Sequence, residues 1–185
     1  MSDKNNNSAL ARRLRQELQG EVLFDNFNRG RYSTDASIYQ LMPIGVVLPR
    51  SDDDVEAAVK IAKEEGIPVL PRGSGTSQNG QAIGEALLID TTRHLNQLID
   101  FDKEKQTACV QPGLVLDHLN RYLKPHGLFY PVDVSTANRA TLGGMTGNNS
   151  CGARSIRYGN MVHNVLSVEA LLANCLLYTS DAADE

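Results

Sequence analysis

The chain has 185 residues and a formal net charge of −4, with 41% hydrophobic and 22% charged residues. These values are ordinary for a soluble globular protein and are sufficient for one domain with a sizeable core. The acidic balance gives no indication of a nucleic-acid surface, and no apolar run is long enough to span a membrane.

Neither an export signal nor a cysteine framework is evident. The first ten residues, MSDKNNNSAL, are polar and lack the apolar core of a secretory signal. Cys109, Cys151 and Cys175 stand far apart without a C-x-x-C pair, so metal binding and disulfide bonding are not expected. These features favour a cytoplasmic protein.

A short helix and a turn-rich segment are predicted before the first strand. Leu10, Leu14 and Leu18 recur four residues apart and predict an amphipathic packing helix. Residues 25–35 are rich in turn-forming residues and predict a loop. Two interpretations of that loop remain open, a solvated loop with one structural ion pair and a support for a neighbouring site.

A strand–helix–strand unit follows. Residues 46–48 predict a strand, and the next predicted strand covers residues 67–70. Between them, Ser51 followed by Asp54 resembles a capping box at a helix start, and Gly66 is a natural helix end. Parallel pairing of the two strands through a right-handed crossover is therefore expected.

Further strands are predicted downstream. Residues 86–90 (ALLID) predict a buried apolar strand. Residues 98–101 and 107–111 flank the charged turn DKEKQ and predict a hairpin.

An amphipathic helix is predicted over residues 114–124, with Val115, Leu119 and Tyr122 on one side. Asp117 and His118 could suggest a catalytic pair. Adjacent residues on a helix diverge by about 100° and do not face each other, so surface positions are expected for both.

Glycine and hydroxyl side chains dominate residues 71–81, PRGSGTSQNGQ, here called the first glycine loop. Glycines let a backbone turn through positive φ and approach a ligand, while hydroxyls and N–H groups donate hydrogen bonds. That chemistry suits a phosphate or pyrophosphate. Gln81 replaces the lysine of a Walker A loop, and Gln78 replaces the third glycine of a dinucleotide fingerprint. The loop alone is also compatible with an ordinary Gly/Ser turn.

A second run rich in Gly, Ser, Thr and Asn covers residues 131–159, PVDVSTANRATLGGMTGNNSCGARSIRYG, here called the second glycine segment. Two such runs can close on one extended, multiply charged ligand from two sides. Together, PRGSGTSQNGQ and TLGGMTGNNSCGARSIRYG resemble the two flavin-binding segments of the vanillyl-alcohol-oxidase/para-cresol-methylhydroxylase (PCMH)-type FAD family. Within it, the chain is most similar to FAD-linked 2-hydroxyacid dehydrogenases of the glycolate oxidase subunit and D-lactate dehydrogenase kind. The resemblance runs from about Arg29 to about Leu172.

The resemblance implies an α+β fold, a two-lobed PCMH-type FAD-binding domain. A small α/β lobe with parallel strands is followed by the start of a second α+β lobe. Residues 165–173 resemble the family's next strand. Residues 1–44 are then an extension of helix and loop, and residues 45–174 are the FAD-binding domain, incomplete at its end. Residues 175–185 do not resemble the family and are interpreted as a non-native tail on a truncated parent.

FAD is the implied cofactor, held between two walls. The first glycine loop contains no histidine, the residue to which some relatives tether the flavin, so FAD is expected to be non-covalent. The first implied wall consists of Arg72, Gly73, Ser74, Gly75, Thr76, Ser77, Gln78, Asn79 and Gly80. The facing wall consists of Pro131, Asp133, Thr141, Gly143, Gly144, Gly147, Asn148, Asn149, Ser150, Gly152, Ser155, Tyr158 and Gly159.

The implied activity is oxidation of a small D-2-hydroxy acid of the lactate, glycolate or 2-hydroxyglutarate type by hydride transfer to FAD. Electrons would pass to a separate acceptor or an iron–sulfur domain or subunit, through which membrane association could arise. No catalytic residue or metal ligand is assigned in this chain, which alone is expected to be inactive. The alternatives are another substrate class in the superfamily, a non-functional fragment or, least favoured, a nucleotide-phosphate-binding module.

Overall fold

The computed structural model of the chain describes residues 8–181. The helices are α1 (Ala9–Glu17), α2 (Asn26–Arg31), α3 (Asp52–Glu64), α4 (Leu116–Leu123), α5 (Leu142–Gly147) and α6 (Ser155–Tyr158), with 3₁₀ turns at Lys124–His126 and Met161–His163. The strands are β1 (Glu21–Leu23), β2 (Gly45–Leu48), β3 (Val69–Arg72), β4 (Leu87–Asp90), β5 (Leu98–Asp102), β6 (Thr107–Val110), β7 (Ser167–Leu171) and β8 (Leu177–Asp181). Within the described residues, no helix is both long and apolar enough to cross a membrane.

A four-stranded sheet with the order β1-β2-β4-β3 forms the first lobe. β4 lies between β2 and β3 and runs parallel to both, while β1 pairs antiparallel with β2. β2 and β3 therefore run in the same direction, but the prediction that they pair with each other is wrong. The physical reason is that every residue of β4 is buried, and an apolar strand of this kind belongs in the interior of a sheet.

Helices α1 and α3 cover this sheet as their apolar spacing predicts. Leu14, Ala58 and Ile61 are fully buried in the shared core. The Ser51 hydroxyl accepts from the Asp54 amide at 3.3 Å, which confirms the predicted cap. The Asp54 carboxylate is itself buried and accepts from the backbone amides of Gln19 and Arg50 at 2.8 and 2.9 Å, so it fastens the α1–β1 connection to the start of α3.

The segment predicted as a loop at residues 25–35 contains helix α2. The Asp25 carboxylate accepts from the Asn28 amide at 2.9 Å and caps this helix. Strand β1 was also not predicted. Both elements are too short for hydrophobic periodicity to reveal, because α2 has six residues and β1 has three.

The second lobe contains the predicted hairpin β5–β6 and helix α4. The buried face of α4 is Leu116, Leu119 and Leu123, whereas Tyr122 is 47% exposed and Val115 is the N-cap. Of the three residues predicted on one side of the helix, Leu119 belongs to the buried face, Val115 is half-buried and Tyr122 is exposed. The helix begins two residues later than predicted, and Leu116 and Leu123 share a face with Leu119 that Val115 and Tyr122 border.

Residues 167–171 form the strand predicted near the end of the chain, and β8 pairs antiparallel with it. Leu171 and Cys175 pack against the core of the first lobe. Cys175 takes a φ of +66° in the connecting turn, a conformation that glycine adopts far more readily. The interpretation of residues 175–185 as non-native stays a prediction.

Candidate cofactor-binding site

The first glycine loop leaves the carboxyl end of β3, at the edge where the parallel strands β2 and β4 also end. Ligands of open α/β sheets bind outside this edge, because the loops there are set by the strands beneath them. Pro71 and Arg72 still belong to β3, so the loop departs from the sheet at Gly73.

Backbone donors are the main chemical feature of this loop. Within residues 8–181, the amides of residues 74–78 donate to no protein oxygen. Gly75 and Gly80 have φ values of +67° and +79°, which turn the chain back on itself. Five consecutive amides without acceptors form a donor-rich surface that fits a pyrophosphate, whose oxygens only accept.

The second glycine segment is built differently. Thr141 is buried, and its hydroxyl accepts from the Gly144 amide at 3.3 Å at the start of α5. The amides of Asn148, Asn149 and Ser150 all donate to carbonyls within the same segment at 2.9–3.1 Å. At these three residues the backbone is hydrogen-bonded within the segment, whereas the amides of residues 132–136, earlier in the segment, donate to no protein oxygen within residues 8–181.

The two runs lie against each other. The Ser74 hydroxyl donates to the carbonyl of Arg139. A Cβ added at Gly73 would collide with the Thr141 hydroxyl, and Gln81 Nε2 donates to Asn148 Oδ1 at 3.1 Å. Residues separated by more than sixty positions are thereby brought into one surface.

The predicted wall residues differ in exposure. The exposed ones are Ser74, Gln78, Asn79, Gly144, Gly147, Asn148, Asn149 and Tyr158. The half-buried ones are Gly73, Gly75, Thr76, Ser77, Gly80, Pro131, Asp133, Gly143, Ser150, Gly152, Ser155 and Gly159. The two buried ones, Arg72 and Thr141, direct their side chains into the protein.

Several predicted positions are engaged within the protein. Asp133 accepts from the Arg154 amide at 2.9 Å, and its backbone lies so close to Gly152 that a Cβ there would overlap it. Asn149 Oδ1 accepts from the Val162 amide at 3.1 Å. These contacts shape the second glycine segment from within.

Three residues at the surface between the runs were not among the predicted site residues. Gln81 and Arg139 bridge the two runs, and the Tyr39 ring lies against Gly80. Gln81 is part of the first glycine loop and could have been included on that ground. The Arg139 carbonyl carries no sequence signal, because any residue supplies a backbone oxygen.

A cavity of about 520 Å³ lies elsewhere, beside α4. Leu116, Asn120, Lys124 and Phe129 are among its lining residues, and Asp133 is the one predicted wall residue that it includes. Ala137 and Arg154 of the second glycine segment also line it, so the cavity borders that segment, but it includes no residue of the first glycine loop. We place the candidate site at the surface shared by the two glycine runs, because the unpaired amides point to a ligand.

Solved structures share this fold. Physcomitrella patens BBE-like 1, variant D396N, superposes with a TM-score of 0.81 at 23% identity, covering 95% of this chain and 38% of that chain. An alkyldihydroxyacetonephosphate synthase gives a TM-score of 0.81 at 23% identity, covering 93% and 34%. At these identities the likeness concerns the fold, and it confirms the predicted α+β class.

Sequence comparison shows the family. The model of the FAD binding domain family matches residues 43–179, so the chain belongs to this family, and the predicted family and cofactor are confirmed. D-2-hydroxyglutarate dehydrogenase of Escherichia coli (strain K12) is 42% identical over 160 residues, covering 85% of this chain and 16% of the relative. Glycolate oxidase subunit GlcD of Bacillus subtilis (strain 168) is 39% identical over 162 residues, covering 85% and 34%. The chain thus spans only a minor part of these relatives.

Proposed function

We propose that this chain is the FAD-binding part of a flavin-dependent oxidoreductase that oxidises a small D-2-hydroxy acid. The observation that carries the proposal is the row of unpaired amides at residues 74–78 beside the second glycine segment. When bound, FAD supplies the redox chemistry by accepting hydride from the substrate. The residues of this chain bind and orient it.

The two walls would divide that task. The amides of residues 74–78 would donate to the pyrophosphate, and the hydroxyls of Thr76 and Ser77 would add further donors. Gly144 and Gly147 are exposed and carry no side chain, so they would let the cofactor approach α5 closely. Asn148 would supply a polar group at the junction of the walls, where it already meets Gln81.

The substrate class rests on the relatives. Proteins named D-2-hydroxyglutarate dehydrogenase, glycolate oxidase subunit and probable D-lactate dehydrogenase align with 82–85% of this chain at 34–42% identity. All three names refer to small 2-hydroxy acids. We propose that the electrons pass to a separate acceptor or an iron–sulfur domain, and that the protein is cytoplasmic.

Flavin selectivity tests the binding proposal. The purified chain is titrated with FAD, FMN and ATP while flavin fluorescence or heat is measured. We expect FAD to bind at least about tenfold more tightly than FMN, because FMN lacks the second phosphate and the adenosine, a difference of about 1.4 kcal/mol or more. Equal affinity for FMN, or preference for ATP, would contradict the proposal. An insoluble chain would favour the non-functional-fragment alternative.

Non-covalent attachment is tested by acid precipitation. No histidine lies in the first glycine loop, and His163 next to the second glycine segment accepts from the Asn160 amide at 3.0 Å. We expect acid to release all the flavin into the supernatant. Flavin that stays with the pellet would show a covalent bond.

Dye reduction with lactate, glycolate and 2-hydroxyglutarate tests the activity. We assign no catalytic residue in this chain, so the FAD-loaded chain should be inactive while a full-length parent is active. Turnover by the chain alone would place the reacting groups within it. An inactive, flavin-loaded parent would refute the substrate class.

A further inference from the structure

Arg72 is a buried cation directly beneath the first glycine loop. It is 9% exposed, ends β3 and pairs with Asp90 of β4 in the sheet. An arginine buried this far needs several acceptors, because its guanidinium carries five donors and stays charged.

Its acceptors are backbone carbonyls from both sides of the loop. Nη1 donates to the carbonyls of Tyr32 at 3.2 Å and Ala82 at 2.8 Å. Nη2 donates to the carbonyl of Thr34 at 2.8 Å. Since Ala82 follows the first glycine loop and Tyr32 and Thr34 belong to the segment after α2, one side chain fastens three pieces of chain together.

Tyr32 also contacts this guanidinium. Its ring centroid lies 5.3 Å from the Arg72 guanidinium carbon, and its hydroxyl donates to Asp90 Oδ2 at 2.7 Å. Burial, and then the hydrogen bond to Asp90, raise the pKa of Tyr32, so the hydroxyl stays protonated as a donor. The Asp90 carboxylate in turn compensates the arginine charge.

The first glycine loop packs against the Arg72 guanidinium at Gly75. A Cβ at Gly75 would lie 2.5 Å from Arg72 Nη2, and the Gly75 carbonyl accepts from the Ala36 amide at 3.1 Å. The turn that orients the unpaired amides is therefore in contact with the guanidinium below it and hydrogen-bonded to the segment beside it.

We propose that Arg72 is a positioning residue: its side chain acts on the first glycine loop and not on the cofactor, and with Tyr32 and Asp90 it fixes the loop in the conformation that presents the amides of residues 74–78. The effect on FAD binding rests on the proposed function. The effect on loop order does not.

The experiment compares Arg72→Met, Arg72→Lys and the control Arg13→Met in the 185-residue chain. Arg13 also joins separate elements, through Glu17, Glu64 and Glu65, but it lies between α1 and α3. Backbone ¹⁵N relaxation of the FAD-free chain gives order parameters, which are about 0.85 for rigid amides and below about 0.6 for flexible ones. FAD titration of the same variants gives affinities.

In Arg72→Met we expect the order parameters of residues 73–80 to fall below about 0.6 while α3 stays rigid, and FAD affinity to fall at least about tenfold. Arg72→Lys should fall between Arg72→Met and wild type, and Arg13→Met should match wild type in both measurements. A rigid loop in Arg72→Met, or loosening of the whole sheet to the same degree as the loop, would overturn the inference.

If Arg72→Met does not fold, the variant Tyr32→Phe tests the inference instead. It removes only the hydroxyl that bonds Asp90, so we expect a smaller, local loss of order at residues 73–80. An unchanged loop in Tyr32→Phe would then overturn the inference. If wild type fails to bind FAD, the proposed function fails, while the relaxation data on the FAD-free chain still decide the role of Arg72.

Discussion

The first glycine loop and the part of the second glycine segment that follows α5 have similar compositions but differ in how their backbone amides are paired. The loop leaves the amides of residues 74–78 without protein acceptors within the described chain. The segment uses the amides of Asn148, Asn149 and Ser150 in its own short helical turns. Composition alone predicts turns and polarity in both runs, whereas the fold decides which backbone amides are paired within the protein.

Glycines have two roles in these runs: some allow a turn with positive φ, and others allow close packing. Gly75 and Gly80 have positive φ, which side chains disfavour even where there is space. Gly143 has an ordinary helical conformation, but a Cβ there would lie 2.6 Å from Pro112 Cβ. The division is not strict, because Gly73 of the loop is crowded by the Thr141 hydroxyl and Gly159 of the segment has a φ of +79°.

Gly75→Val should give the largest effect on binding. Positive φ costs roughly 1–2 kcal/mol for a residue with a Cβ, and the new side chain also displaces Arg72. We expect FAD affinity to fall at least about 100-fold, roughly 2.8 kcal/mol. The control is Gly66→Val, since Gly66 has a φ of +65° but faces open space beyond α3. Weak binding by both variants would mean that global strain, and not the loop, is responsible.

Gly143→Ala should act on stability instead. Crowding against Pro112 should lower the free energy of unfolding by about 1–3 kcal/mol, as measured in urea on the FAD-free chain. Gly147→Ala is matched to it, because Gly147 lies in the same helix with nothing near its Cβ. That variant should be neutral or more stable by up to about 1 kcal/mol. Equal destabilisation by both would remove the packing role assigned to Gly143.

Alkaline pH should lower the free energy of unfolding, because the half-buried Tyr130 must ionise as the pH rises. Burial raises the pKa of Tyr130, in the second lobe, to about 12, compared with about 10 in an unfolded chain. Because the folded-state pKa is the higher one, the stabilisation is complete below pH 10 and is lost as the pH rises towards 12. Unfolding free energies measured across this range should fall less steeply in Tyr130→Phe. An unchanged slope would mean that Tyr130 does not contribute to the decline.

The hydrogen bond between Gln81 and Asn148 should have the smallest effect. Both side chains are exposed, so their coupling in a double-mutant cycle with alanine should be below about 1 kcal/mol. Unfolding in urea measures it. A coupling well above that value would show that this pair holds the two runs together more firmly than an exposed hydrogen bond between side chains does.

Much of the fold could be predicted from local patterns. The helical spacing of α1 and α3, the apolar run of β4 and the hairpin around DKEKQ each carried a sufficient signal. The short elements α2 and β1 did not, because three to six residues contain less than two periods of a helix. The buried face of α4 was predicted only in part, since it depends on where the helix begins.

Sequence by itself determined the membership in an FAD-binding family and the two runs that form the candidate site. It did so because the two runs together are similar to the two flavin-binding segments of that family, whereas the first glycine loop alone is also compatible with an ordinary Gly/Ser turn. Only the tertiary structure decided that β4 separates β2 from β3, that Ser74 meets Arg139, and that Arg72 turns inward onto the Tyr32, Thr34 and Ala82 carbonyls. These facts depend on contacts between residues that are distant in the sequence. Every residue supplies a backbone carbonyl, so no local sequence pattern predicts which carbonyl will accept.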